Sequence, residues 1–226
     1  MSNARTVWLF DLDDTLHNAS ARAFRELNAS MTAYIETHLG LPTDEAVALR
    51  HGYWQRYGAT LTGLTRHNGI RAAHFLHETH VLPGLDAHLH GHAHDLAALR
   101  RLPGRKLLMT NAPRAYAERV LAAVGLGGVF ERLICIEDMD LFRQSRPKPD
   151  ARMFRVVLAR LQIDPRRCVL VEDTLIHQKR AREVGLRTVW MQRWVKQAGG
   201  KRLHRKPAYV SLRVRSLAQL ARSPQF

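Results

Sequence analysis

The sequence has little cysteine, no acidic residue near its end and no long apolar run, and each shortage removes a class of protein. Two cysteines in 226 residues, Cys135 and Cys168, each inside an apolar stretch, exclude a disulfide framework and fit buried thiols in a reducing cytoplasm. The first apolar stretch, Val7 to Phe10, ends at Asp11, and nothing approaches the roughly 18–20 residues of a membrane span, so neither a secretory signal nor a membrane anchor is expected. Acidic residues stop at Glu183. The last 43 positions carry ten bases and no acid, within a net charge of +15. Such a segment attracts phosphates, nucleic acid or anionic lipid, or else stands as a solvated tail, the reading favoured here. With 46% hydrophobic and 24% charged residues, 14 glycines and 9 prolines, the chain is globular, neither disordered nor collagen-like. Its length fits one substantial domain carrying a smaller insertion.

Short apolar runs bounded by turn residues recur at 6–10, 105–109, 132–136, 168–171 and 187–191, which predicts fully buried strands. Amphipathic segments at 113–124, 151–161 and 175–184 fall between them. Alternation of this kind predicts an α/β fold: an open parallel, Rossmann-like sheet with helices on both faces. About ninety residues separate the first strand from the second, far too many for one crossover. Phe24, Leu27, Met31, Tyr34, Ile35 and Leu39 keep helical spacing up to Gly40, Thr43 stands where it can cap a second helix running to Gly58, and a third covers 70–80. Residues 18–84 are therefore expected to form a small all-helical cap over a core made of 1–17 and 85–226. The stretch 209–220 returns to apolar periodicity, as a final strand and helix.

The first strand runs into Asp11-Leu12-Asp13-Asp14-Thr15. Residues two apart in an extended chain face the same way, so Asp11 and Asp13 converge on the crevice beyond the strand ends, where open α/β sheets place their chemistry. An Asp-x-Asp pair alone serves as a metal site or as a nucleophile with an acid/base partner, and helix capping explains Asp14 and Thr15 better. Three further strand ends carry groups suited to a phosphate. Thr110-Asn111 precedes a helix start, Glu172-Asp173 offers hard oxygens suited to Mg²⁺, and Lys148 sits between Pro147 and Pro149.

This ordered set, Phe10-Asp11-Leu12-Asp13-Asp14-Thr15-Leu16, Thr110-Asn111, Lys148-Pro149 and Glu172-Asp173, resembles the four motifs of the haloacid dehalogenase (HAD) superfamily of phosphohydrolases, over residues 6 to about 191. Leu16-His17 and Tyr57-Gly58-Ala59-Thr60-Leu61-Thr62-Gly63-Leu64 are similar to its pyrimidine 5′-nucleotidase-like branch. The resemblance implies a cytoplasmic Mg²⁺-dependent phosphatase acting on a small phosphorylated metabolite, a nucleoside 5′-monophosphate with a pyrimidine favoured. Asp11 would be the nucleophile and Asp13 the acid/base, with Thr110 and Lys148 completing the catalytic set. The metal would be held by Asp11, Asp13 through its backbone carbonyl, Asp173 and Glu172. Asn111, His17, Tyr57 and Thr60 would contact substrate. Asp13 argues against dehalogenation, whose leaving halide needs no proton. A sugar-phosphate phosphatase or a phosphomutase of the same superfamily shares these motifs.

Several features compete with that reading. Aromatics at helical spacing, Trp54 above all, are read as core rather than as a stacking surface. His88, His90, His92 and His94 alternate like a metal tract but fit a solvated helix start, and His74, His77 and His80 are read as cap surface or core. The basic stretch 193–206 keeps a nucleic-acid-associated role as a second hypothesis, one that predicts steep salt dependence, although no nucleic-acid-binding signature accompanies it.

Overall fold

The computed structural model describes residues 6–19, 22–141, 144–194 and 205–226. Strands β1 (Val7–Phe10), β2 (Arg105–Met109) and β3 (Arg132–Ile134) are followed by a two-stranded hairpin, β4 (Asp140–Leu141) with β5 (Gln144–Ser145). The chain then forms β6 (Cys168–Glu172), β7 (Arg187–Met191) and β8 (Leu212–Val214). The main sheet has six strands in the order β3-β2-β1-β6-β7-β8, every pair parallel. The predicted α/β architecture is therefore present.

Strands of the central sheet read as continuous apolar runs because both of its faces are covered. Trp8, Phe10, Leu108, Val169 and Val171 point into a core shared with helices α5 (Ala93–Arg101), α6 (Arg114–Ala123) and α9 (Leu217–Ala221). Their neighbours Val7, Leu9, Leu107, Met109 and Leu170 point the other way, against α7 (Ala151–Arg160) and α8 (Leu175–Glu183). Burying each such side chain contributes about 1.5–3 kcal/mol. Cys135 and Cys168 are buried free thiols in these layers. Among the described residues, no helix is long and apolar enough to cross a membrane.

Between β1 and α5 the described residues form four helices, α1 (Ala23–Leu39), α2 (Thr43–Tyr57), α3 (Thr60–His67) and α4 (Ala72–His80), rather than the three that periodicity predicts. They close on their own core of Tyr34, Ile35, Ala46, Leu61, Leu64 and Phe75. Helix α3 escapes a propensity reading because three threonines and Gly63 occupy four of its eight positions. Gly63 is there for packing: a Cβ would stand 2.1 Å from Cγ of Tyr53. Thr43 does not cap α2. Pro42 holds the N-cap position, and its carbonyl accepts the Ala46 N–H at 2.9 Å.

The histidine tract does not form one helix. A 3₁₀ turn covers Leu85–His88, and α5 starts only after His92, with His90, His92 and His94 exposed. Most of the basic stretch 193–206, namely 195–204, lies outside the described residues. The helical insert meets the core at Gly58, where α2 ends. Its φ is +81°, and a Cβ would lie 2.6 Å from Cδ of Pro149 and 2.7 Å from the carbonyl oxygen of Lys148. Both the left-handed backbone and the close approach demand glycine. Replacing Gly58 by Ala should lower the unfolding free energy by about 2 kcal/mol, read as a drop in the urea midpoint; an unchanged midpoint would show that this contact tolerates a methyl group.

Candidate active site

The chain places β2 and β3 on one side of β1 and returns to place β6 on the other. This makes the carboxyl edge between β1 and β6 a topological switch point, where a crevice opens. Asp11 follows β1 directly, its N–H donating to the Val171 carbonyl at 3.0 Å, so the backbone stays extended alongside β6. Glu172 closes β6 with Asp173 next to it, Thr110 follows β2, and Lys148 enters from the loop before α7.

Lys148 is the hub. Its Nζ donates to Asp11 Oδ1 and to Glu172 Oε2, each at 2.7 Å, and its side chain is 1% exposed. Asn111 aims this lysine: its Nδ2 donates to the Lys148 carbonyl at 2.8 Å and its Oδ1 accepts the Lys148 N–H at 2.9 Å. Each end of the amide thus makes one bond to the backbone, which gives Asn111 a positioning role, while the residue also lines the cavity where a substrate contact is expected of it. Carboxylate oxygens of Asp11, Glu172 and Asp173 lie within 4.8 Å of one another, a cluster that can hold a metal ion.

Asp13 is held by two donors on one oxygen. Tyr116 Oη donates to its Oδ1 at 2.9 Å, and His17 Nε2 lies 2.8 Å from the same atom. His17 is fully buried, so it supports Asp13 rather than touching a ligand, a correction to its expected role. Thr110, 1% exposed, accepts the Ala112 N–H on Oγ1 at 3.1 Å, leaving its own hydroxyl hydrogen to donate elsewhere.

Above these groups lies a cavity of about 530 Å³, bounded below by Asp11, Asp13, Thr110, Lys148 and Asp173. Phe24, Met31, Arg50, Trp54, Leu61 and His80 of the insert line its upper wall. Thr60 lines it too, although its hydroxyl donates to the Arg50 carbonyl. Tyr57 does not: its hydroxyl pairs with His67 Nε2 at 2.6 Å on the outer side. Trp54 departs from the core assignment in the opposite sense, being 56% exposed and part of the cavity wall.

A family model for haloacid dehalogenase-like hydrolases matches residues 6–178, which span all of these groups, and a second, HAD-hydrolase-like model matches 145–220. The chain belongs to the haloacid dehalogenase-like hydrolase family. Phosphate metabolism protein 8 of Saccharomyces cerevisiae is 28% identical over 170 residues, 70% of this chain and 52% of that protein. The plasmid-borne phosphoglycolate phosphatase of Cupriavidus necator is 34% identical over 106 residues, 47% and 41% of the two chains. The chain thus spans about half the length of the curated relatives it matches. Among solved structures, CbbY from Rhodobacter sphaeroides in complex with phosphate is similar at a TM-score of 0.62 and 20% identity, covering 96% of both chains. YfnB from Bacillus subtilis, bound to magnesium, is similar at 0.55 and 18% identity, covering 96% of both chains. These two likenesses speak for the fold.

The electrostatics of this haloacid dehalogenase-like site follow from three clustered carboxyls, two of which share one ammonium. Burial, and then the charge of Glu172, push the Asp11 carboxyl up to about 8 against the pull of Lys148. Burial and Glu172 likewise raise Asp173 well above the usual range. Burial would raise Glu172 as well, but Lys148 and the His177 ring, with Nδ1 3.1 Å from Oε2, hold it far below. Burial opposes the charge of Lys148, yet Asp11 and Glu172 keep it above the ordinary lysine value. With all three carboxyls ionised, their charge exceeds that of Lys148, and a divalent cation would supply the balance, the carboxylate oxygens being the donors Mg²⁺ prefers. The residues present fit the metal.

Tyr116, His177, Arg50 and His80 belong to this site but carry no motif. Tyr116 offered one faint signal, its place in the first turn of the helix that starts just past the Thr110-Asn111 edge. Because Asn111 anchors Lys148 through two hydrogen bonds, Asn111→Ala should lower stability by about 2 kcal/mol in urea unfolding. It should also reduce kcat more than it raises KM; a pure KM effect at full stability would return Asn111 to substrate contact.

Proposed function

We propose that this haloacid dehalogenase-like hydrolase is a Mg²⁺-dependent phosphatase that cleaves small phosphomonoesters, nucleoside 5′-monophosphates with a pyrimidine base foremost, through an aspartyl-phosphate. The observation that carries the reading is the division of labour between the first two motif carboxylates. Lys148 occupies Oδ1 of Asp11, so Oδ2 is the oxygen left to attack phosphorus. Tyr116 and His17 occupy Oδ1 of Asp13, so Oδ2 is the oxygen left to hold a mobile proton. One carboxylate is set as a nucleophile and its neighbour as an acid/base.

Asp11 Oδ2 attacks the phosphoryl group while Asp13 protonates the departing alkoxide. Asp13, now a carboxylate, takes a proton from the water that splits the aspartyl-phosphate. Burial and the nearby carboxylates hold the Tyr116 hydroxyl well above its usual pKa, so it remains a donor to Asp13 throughout. The Thr110 hydroxyl and the helix start behind it donate to phosphoryl oxygens, and Lys148 offsets charge on Asp11. Asp11, Asp173, the Asp13 backbone carbonyl and Glu172 would hold Mg²⁺, which when bound would supply positive charge for an anionic nucleophile meeting an anionic phosphate.

The upper wall supports the nucleotide reading. The exposed Trp54 ring offers a surface on which a base can stack, beside the His51 ring at 5.9 Å. Arg50, held by Asn28 Oδ1 at 2.6 Å and Thr32 Oγ1 at 3.2 Å, keeps further donors for a base carbonyl. The names of the relatives, a phosphate metabolism protein and a phosphoglycolate phosphatase, agree with phosphoester chemistry.

The test is phosphate release from UMP, CMP, AMP and sugar phosphates with Mg²⁺ or with chelator. UMP or CMP should give the highest kcat/KM. Chelation should abolish turnover, and Asp11→Asn should lose at least about 10³-fold in kcat while keeping its fold. An active Asp11→Asn enzyme would refute the nucleophile, and a sugar phosphate ranked first would refute the pyrimidine assignment.

A further inference from the structure

His80 ends α4, and its ring reaches the cavity wall edge-on to Tyr116, centroids 6.0 Å apart. Tyr116 is the residue that grips Asp13, and His80 lies within electrostatic reach of that carboxylate. The hydrogen bonds behind the ring settle which nitrogen carries the proton. The Thr79 hydroxyl donates to the Phe75 carbonyl at 2.7 Å, which commits its single hydrogen. Oγ1 of Thr79 therefore accepts from His80 Nδ1, 2.9 Å away, and the Leu76 carbonyl is a further acceptor for the ring. With the proton fixed on Nδ1, Nε2 is a bare lone pair, and among the described residues no donor meets it. Burial keeps the ring neutral, its pKa lowered to about 4.

That lone pair is open to the crevice, where a ligand donor can meet it, and a phosphoryl group offers only acceptors. Asp13 touches the ester oxygen in the mechanism above, so the atoms beside Asp13 on the side of the insert are those of the leaving alcohol. We propose that His80 Nε2 accepts a hydrogen bond from a hydroxyl of that alcohol, which makes His80 a specificity residue favouring phosphate esters of sugars and polyols over those of simple alcohols. The assignment rests on the phosphatase reading and adds to it a reason for the insert to carry a histidine at this point.

The experiment compares matched esters, UMP with 3′-deoxyuridine 5′-monophosphate and glycerol 3-phosphate with propyl phosphate, in wild type, His80→Phe and His80→Gln. Phenylalanine fills the space without a lone pair, and the glutamine amide oxygen reaches about as far as Nε2. Wild type should prefer the hydroxylated ester of at least one pair by about tenfold in kcat/KM, the effect of one hydrogen bond. His80→Phe should bring that ratio close to one, and His80→Gln should restore most of it. Equal rates on both members of each pair in wild type, or a preference that survives in His80→Phe, would overturn the role of His80 alone. Release from none of the four esters by the folded wild type would overturn the phosphatase reading and this inference with it.

Discussion

One buried ammonium ties the structure of this site together. Lys148 bridges the ends of β1 and β6 through Asp11 and Glu172, across the point where the sheet changes direction. A buried lysine is costly unless it is paired and hydrogen-bonded, and here every element around it serves that need. Asn111 fixes its backbone from the end of β2, two carboxylates take its charge, and Gly58 of the insert packs on its carbonyl. Lys148 also leaves the cluster short of positive charge. Three carboxyls clustered about one lysine, two of them bonded to it, are stable as a set only with a further cation or with protons, and burial together with the charge of Glu172 pushes Asp11 up to about 8. The proposed phosphoryl transfer would use this condition, because a metal held here would make the nucleophile acceptable to an anion.

The same geometry separates chemistry from recognition. The floor of the cavity comes from the strand ends, and the roof comes from α1, α2, α3 and α4 of the insert. Floor groups are locked by short hydrogen bonds to neighbours that are themselves buried, as His17 and Tyr116 lock Asp13. Roof groups are looser: an exposed indole, a guanidinium held by two neutral side chains, and an imidazole anchored on one nitrogen. A scaffold of this kind can change its substrate by changing the roof while the floor stays in register.

Much of this was legible in the sequence, because polar residues at the ends of apolar strands have few structural reasons to be there. Asp11, Asp13, Thr110, Lys148, Glu172 and Asp173 were readable on that ground, and the structure brings them together at one edge. What a sequence cannot say is which way a polar side chain turns. Asn111 and His17 sit where substrate contacts are expected, yet Asn111 grips a backbone and His17 grips Asp13. Trp54 shows the converse. Its helical spacing suits a core position, but the helix of an insert has two apolar surroundings, its own small core and the cavity, and periodicity does not tell them apart. Helix α3 was lost to its threonines and glycine, and Tyr116 and His80 are visible only when distant segments meet.

The central claim is that Asp11 carries the phosphoryl group. Its most direct measurement is an acid quench of the enzyme turning over a substrate labelled in the phosphate, followed by peptide mapping of the protein-bound label. The account predicts an acyl-phosphate, released by hydroxylamine and confined to the peptide containing Asp11. A rapid turnover with no label on the protein, or label on a different residue, would contradict it.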